Sequence, residues 1–197
     1  MKEQDTYSFE VVRTASYAYH FFPVHTLVYL YDGRLQLRNQ CGESLSVERG
    51  DCAFIGRDSY SYLYAEPMSD ASCRMTFFSL SRQFLCEFYQ TLDAMQRNMP
   101  GEPLSALHLL PCKPETESFF HSLAPYMQNG QEPSEEVLRV KMVEIVCSLL
   151  DMDKRYIPTL FDFAGTCKMG LLDLLRKETD TGIVWKNFDA GLFSKYN

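Results

Sequence analysis

From Thr6 to about Leu80 the chain alternates. Its runs YSFEVV, SYAYHFF, TLVYLY, RLQL, SLSVE, CAFIG, YSYLYAE and ASCRMTFFSL exchange apolar and polar positions and are separated by Gly, Asp and Asn turns. Short strands at such intervals predict an antiparallel sandwich or barrel. Asp32-Gly33 stands between two apolar runs, a strong signal for a two-residue hairpin loop. With that loop Tyr31 faces Arg34, Leu30 faces Leu35, Tyr29 faces Gln36 and Val28 faces Leu37. Val28, Leu30, Leu35 and Leu37 then share the interior face, and Tyr29 and Tyr31 lie outside.

At Ser81 the period becomes helical. Ser81 caps SRQFLCEFYQTLDAMQRN, whose Phe84, Leu85, Phe88, Leu92 and Met95 recur at helical spacing until Pro100-Gly101. LSALHLLPC reads as a short strand or connector, and Glu115 to Asn129 as a second helix. A third opens at Pro133-Ser134-Glu135-Glu136, with its acids at the positive end of the helix dipole, and continues through VLRVKMVEIVCSLLDMD. Its apolar residues, Leu138 to Leu150, cover roughly 160° of the wheel, wider than the stripe of about 100° that a core-facing helix needs. Beside the plain reading of a core helix, that width predicts a second apolar surface for a partner helix. KMGLLDLLRKETDTG reads as a further helix. Strands followed by helices predict an α+β unit, with a barrel over 1–80, a helical region over 81–165 and a linker with the next helix over 166–197.

Composition narrows the function. With 46% hydrophobic and 14% aromatic residues, the 197-residue chain can fill a core. A net charge of −7 without a basic run argues against this segment gripping phosphates itself. The seven cysteines form no C-x-x-C pair and read as buried thiols of a reducing cytosol. The start MKEQDTYSFE lacks the features of a signal peptide. The stretch without Asp, Glu, Lys or Arg from Thr14 to Tyr31 contains Pro23, His20 and His25 and suits strands better than a membrane span. The chain is therefore expected to be cytoplasmic, with no membrane contact.

The hairpin TLVYLYDGRLQL, the turn VERGDCAFIGRDS and the strands around them resemble the cupin-like barrel at the N-terminus of AraC/XylS-type transcription regulators. SLSRQFLCEFYQTL and VKMVEIVCSLLDMDKRYIPTLF resemble the helices that follow it in the enteric virulence and acid-response subgroup. VWKNFDAGLFSKYN resembles the Trp-containing opening of the first helix-turn-helix, with Trp185, Phe188, Ala190 and Leu192 in its apolar positions. The resemblance implies a cupin-like antiparallel barrel or sandwich followed by a helical dimerisation region. It also implies a homodimer that answers a small-molecule effector or a regulatory partner protein, and that touches DNA only through a C-terminal domain beyond Asn197.

Metal-binding cupins hold their ion with two His and a Glu before the hairpin turn and a third His after the second turn. Here no H-x-H pair is present, since Phe21-Phe22-Pro23-Val24 separate His20 from His25, and Ser61 stands where the last His is usual. Three donors at fixed geometry are missing, so no metal and no cofactor are expected. No G-x-S-x-G elbow or phosphate loop is present, and no catalytic residue is nominated. The expected ligand-binding set is Val28, Leu30, Leu35, Leu37, Phe54, Tyr62 and Phe77, and the expected dimerisation set is Leu138, Met142, Ile145 and Leu149. Tyr60, Tyr62 and Tyr64 share one strand face, as pocket walls or as a surface row. The alternative function is a metal-free small-molecule-binding cupin, or an enzyme derived from one.

Overall fold

Two antiparallel sheets stacked face to face, with helices laid over one of them, make up the computed structural model, which describes residues 7–68, 72–97, 101–111, 113–129 and 133–162. The strands are β1 Tyr7–Val12, β2 Ser16–Phe22, β3 His25–Asp32, β4 Arg34–Asn39, β5 Ser44–Val47, β6 Cys52–Ile55, β7 Ser59–Glu66, β8 Cys73–Leu80 and β9 Leu107–Leu109. The helices are α1 Arg82–Thr91, α2 Ala94–Arg97, α3 Pro114–Ser122, α4 Ala124–Asn129, α5 Glu135–Met152 and α6 Tyr156–Leu160. The first sheet runs β1-β8-β3-β6-β9 and the second β2-β7-β4-β5. The α+β class and the cupin-like double sheet read from the sequence are what the chain forms.

Burial explains the strand patterns. β4 alternates, with Leu35 and Leu37 inside and Gln36 and Arg38 in solvent, because only one face of its sheet is covered. β3 is buried along most of its length because its sheet is covered twice. Val28 and Leu30 face the second sheet, and Leu27 and Tyr29 face the helices. Two cores result, one between the sheets and one between the first sheet and α1, α3, α5 and α6.

The Asp32-Gly33 hairpin does not form. β3 pairs with β6 and β8, and β4 pairs with β5 and β7, so the turn carries the chain from one sheet to the other. Gly33 has φ +91°, and a Cβ there would come within 2.8 Å of Cys73, so the corner needs glycine for both conformation and space. Val28, Leu30, Leu35 and Leu37 all face the interior as expected, but across the two layers. Tyr29 and Tyr31 are not outside. Tyr29 is buried under the helices, stacked on Phe120 at 4.8 Å, and the Tyr31 hydroxyl donates to the Phe120 carbonyl at 2.9 Å.

Ser81 caps α1 as expected, its Oγ accepting from the Phe84 N–H at 3.2 Å, but the helix ends at Thr91 and Asp93 starts a separate turn. The second predicted helix is broken at Leu123 into α3 and α4, and the third spans Glu135–Met152 with Ser134 as its cap. The linker and Trp-containing helix expected over 166–197 lie outside the described residues.

Candidate functional site

The space between the sheets brings together Val28 and Leu30 of β3, Leu35 and Leu37 of β4 and Phe77 of β8, all buried in one cluster. Phe54 and Tyr62, expected with them, are elsewhere. Phe54 lies on the opposite face of the first sheet, stacked between His25 at 5.3 Å and His108 at 5.0 Å. Its strand CAFI is apolar on both faces, so its parity is invisible in sequence, and pairing with β3 turns Ala53 and Ile55 inward instead. Tyr62 is 56% exposed on the outer face of the second sheet, where Ser61, Leu63 and Ala65 take the inward positions.

Side chains fill most of this interior. A cleft remains between the sheets at the β1 and β2 edge, lined by Val12, Ala18, Leu35, Leu63, Ala65 and Met75, together with Ser16 and Glu10. Counted out into open solvent, the empty space at this cleft is about 260 Å³. Its innermost free space matches about one water molecule, so a larger guest enters only if the strand edges part. Glu10 is the ionisable group on this lining. Loss of solvent raises its carboxyl above the ordinary range, and a 3.0 Å hydrogen bond from Ser8 Oγ offsets that in part.

Sequence reasoning did not find Glu10. In YSFEVV the apolar row Tyr7, Phe9 and Val11 is the natural choice for the interior, yet Ser8, Glu10 and Val12 pair with Phe77, Met75 and Cys73 and face inward. Tyr7 packs on the helical side, and Phe9 meets Tyr31 edge-on at 6.2 Å. The signal was the doubly covered first sheet, whose helical side also takes an apolar row.

The two histidines weighed as ligands sit on different sheets and do not converge. His20, on β2, meets Phe22 edge-on at 4.6 Å, and burial lowers its pKa to about 4. His25, on the helix-facing side of β3, accepts the Arg57 N–H through Nδ1 at 3.2 Å, while its buried Nε2 has no hydrogen-bond partner. Burial, and then the Arg57 charge, lowers its pKa to about 4. The Arg57 guanidinium reaches Asp162 at 2.6 Å and ties the β6–β7 turn to the segment after α6. Among the described residues no group of three or more His, Cys, Asp or Glu is placed to hold a metal ion.

On α5 the four expected dimer residues face inward. Ile145 and Leu149 are fully buried, Met142 nearly so, and Leu138 packs half-buried against the same core. A two-fold interface centred on them would require the helix to leave the sheet. The apolar positions that α5 does expose are Val140, at 65%, and Val143. The wide apolar face is used in covering β3, β6 and β8 together with α1, α3 and α6. No helix among the described residues is long and apolar enough to cross a membrane.

A double sheet with a largely apolar interior and a helical layer on one face defines a cupin-like domain. The family model of the ExsA N-terminal regulatory domain matches residues 25–156, more than half of the chain, and the chain belongs to that family. Among solved structures it is similar to ToxT from Vibrio cholerae. A ToxT with a bound unsaturated fatty acid is 16% identical, with a TM-score of 0.52, over 80% of this chain and 58% of ToxT. The apo form of a ToxT variant is 11% identical, with a TM-score of 0.56, over 90% of this chain and 72% of that one. At these identities the likeness is one of fold, and the chain spans 58% of the length of the fatty-acid-bound ToxT. No curated protein sequence matches the chain.

Proposed function

We propose that this chain is the sensing and dimerisation domain of an AraC-type transcription regulator, which passes its state to a C-terminal helix-turn-helix domain. It works in the cytoplasm as a homodimer, reaches DNA only through that second domain and catalyses no reaction. The family match over residues 25–156 carries this reading.

The effector site on this reading is the cleft at Glu10. Among the described residues β1 is bonded on one side only, to β8, and β2 ends the other sheet, so the cleft can widen between two strands that share no ladder. Its walls suit an apolar body. Its one ionisable group is a carboxyl already short of solvent, so the head group it favours is a cation or a hydrogen-bond donor. A fatty acid, which the ToxT structure holds, would set a second carboxylate beside Glu10.

Thermal melts with decylamine and with decanoate, each below its micelle concentration, test this. Decylamine is expected to raise the melting temperature at pH 7, decanoate to leave it unchanged, and Glu10→Gln to remove the decylamine effect. Stabilisation by decanoate alone, or by neither amphiphile, would contradict the cleft as an effector site.

A further inference from the structure

The outer face of the second sheet carries a row of exposed aromatic side chains. Tyr17 stacks on Tyr64 at 4.4 Å and Tyr19 on Tyr60 at 5.2 Å, while Tyr19 meets Tyr62 at 4.5 Å and Phe21 meets Tyr60 at 4.6 Å with their rings tilted. Because the rings lean on one another across the strands, they offer edges and hydroxyls rather than the flat faces that a sugar or a base would stack on. Tyr17, Tyr19, Tyr60 and Tyr62 are each 41–64% exposed. At about 200 Å² per ring their open surface comes to roughly 400 Å². That is about half of the ~800 Å² per partner of a stable interface, on one contiguous patch.

β2 borders this patch and, among the described residues, ends its sheet. Edge strands are usually guarded by charge, proline, a bulge or shortness. β1 carries Glu10 and is followed by Arg13, β5 has four residues flanked by Glu43 and Glu48, and β9 has three residues. β2 has seven residues, Ser16–Phe22, with no charged residue or proline and an unbroken register against β7. The charge pattern favours a copy of the chain as its occupant. Two chains of −7 repel, but neither β2 nor the tyrosines carry a charge; the charges beside the row, Glu66 at the end of β7 and Arg34 and the exposed Arg38 on β4, lie on the side of β7 away from β2 or at its end, and Arg34 is paired with Glu48 at 3.0 Å.

We propose that β2 pairs antiparallel with β2 of a second copy, so that two four-stranded sheets become one of eight strands with the tyrosine rows side by side on its outer face. A two-fold axis through the middle residue, Tyr19, pairs all seven positions. Tyr19 meets its own counterpart, and Tyr17 meets Phe21 of the other copy, so the outer row is aromatic throughout. This places the homodimer contact of the regulator reading, on which it rests, at a strand edge instead of at α5.

Sedimentation velocity of the purified chain tests it. The wild type is expected to dimerise at micromolar concentration, and Tyr17→Lys with Tyr19→Lys to weaken the dimer about 100-fold. Both side chains are exposed, so the melting temperature should stay within about 3 °C. If that variant fails to fold, Tyr19→Cys in a background with Cys41, Cys86, Cys112, Cys147 and Cys167 changed to Ser is expected to form a covalent dimer on mild oxidation, and the background alone to form none. A wild type that stays monomeric at about 100 µM overturns the proposal. So does a dimer insensitive to the lysines, a dimer lost on Val140→Glu with Val143→Glu instead, or a tyrosine row needed only for binding a different protein. A monomeric wild type would leave the effector response of the cleft to stand or fall on the amphiphile melts.

Discussion

At the residue scale, function and stability oppose each other at Glu10. Its raised pKa means that the folded chain prefers the neutral carboxyl. Its contribution is therefore full below the unfolded value of 4.5 and is lost as pH rises through the folded one. Glu10→Gln is expected to melt higher than the wild type at pH 7 and equally at pH 4, and a lower melting temperature at pH 7 would show that the ionised carboxylate has a partner. His25 has the opposite sign. Its pKa falls from 6.5 to about 4, so stability is intact above 6.5 and declines as pH falls toward 4, by roughly 3 kcal/mol in all. His25→Asn keeps an acceptor for the Arg57 N–H and removes the titration. Denaturant midpoints between pH 7 and 4 should fall more gently in the variant. Neither site was legible beforehand. Glu10 hid in a strand whose more apolar row faces the other way, and His25, read as an ordinary strand residue, owes its burial against Phe54 and Arg57 to strand pairings between distant residues.

At the element scale, period and caps carried well and partners did not. All eight N-terminal strands and the Ser134-capped α5 were readable from local pattern, because alternation and N-capping are properties of a few consecutive residues. Which strand lies beside which depends on distant residues. Asp32-Gly33 has the chemistry of a hairpin loop, but here it makes a corner between layers, since each sheet already supplies its strands with partners. The same holds for α5, whose apolar width is compatible with a core helix or a second surface in sequence and spans one broad core in the fold. Ile145→Asp is accordingly expected to abolish cooperative melting by circular dichroism, because an unpaired carboxylate at a fully buried position costs several kcal/mol. Val140→Asp, on the exposed side, should change stability by no more than about 0.5 kcal/mol. A folded Ile145→Asp monomer would instead restore the helix interface.

At the scale of the whole molecule, the cupin-like class was legible because strand spacing and turn residues survive where catalytic or metal-binding residues do not. The placement of Phe54 and Tyr62 was not, since an apolar-throughout strand and a row of tyrosines are each compatible with either face of a sheet. An acidic chain with a filled interior fits the part of a regulator that receives a signal. The direct measurement of that role joins residues 1–197 to a heterologous DNA-binding domain that represses a reporter only as a dimer. Repression by the fusion, lost with Tyr17→Lys and Tyr19→Lys and altered by decylamine, is the expected result. A stably expressed, folded fusion that leaves the reporter fully active would contradict the regulatory role.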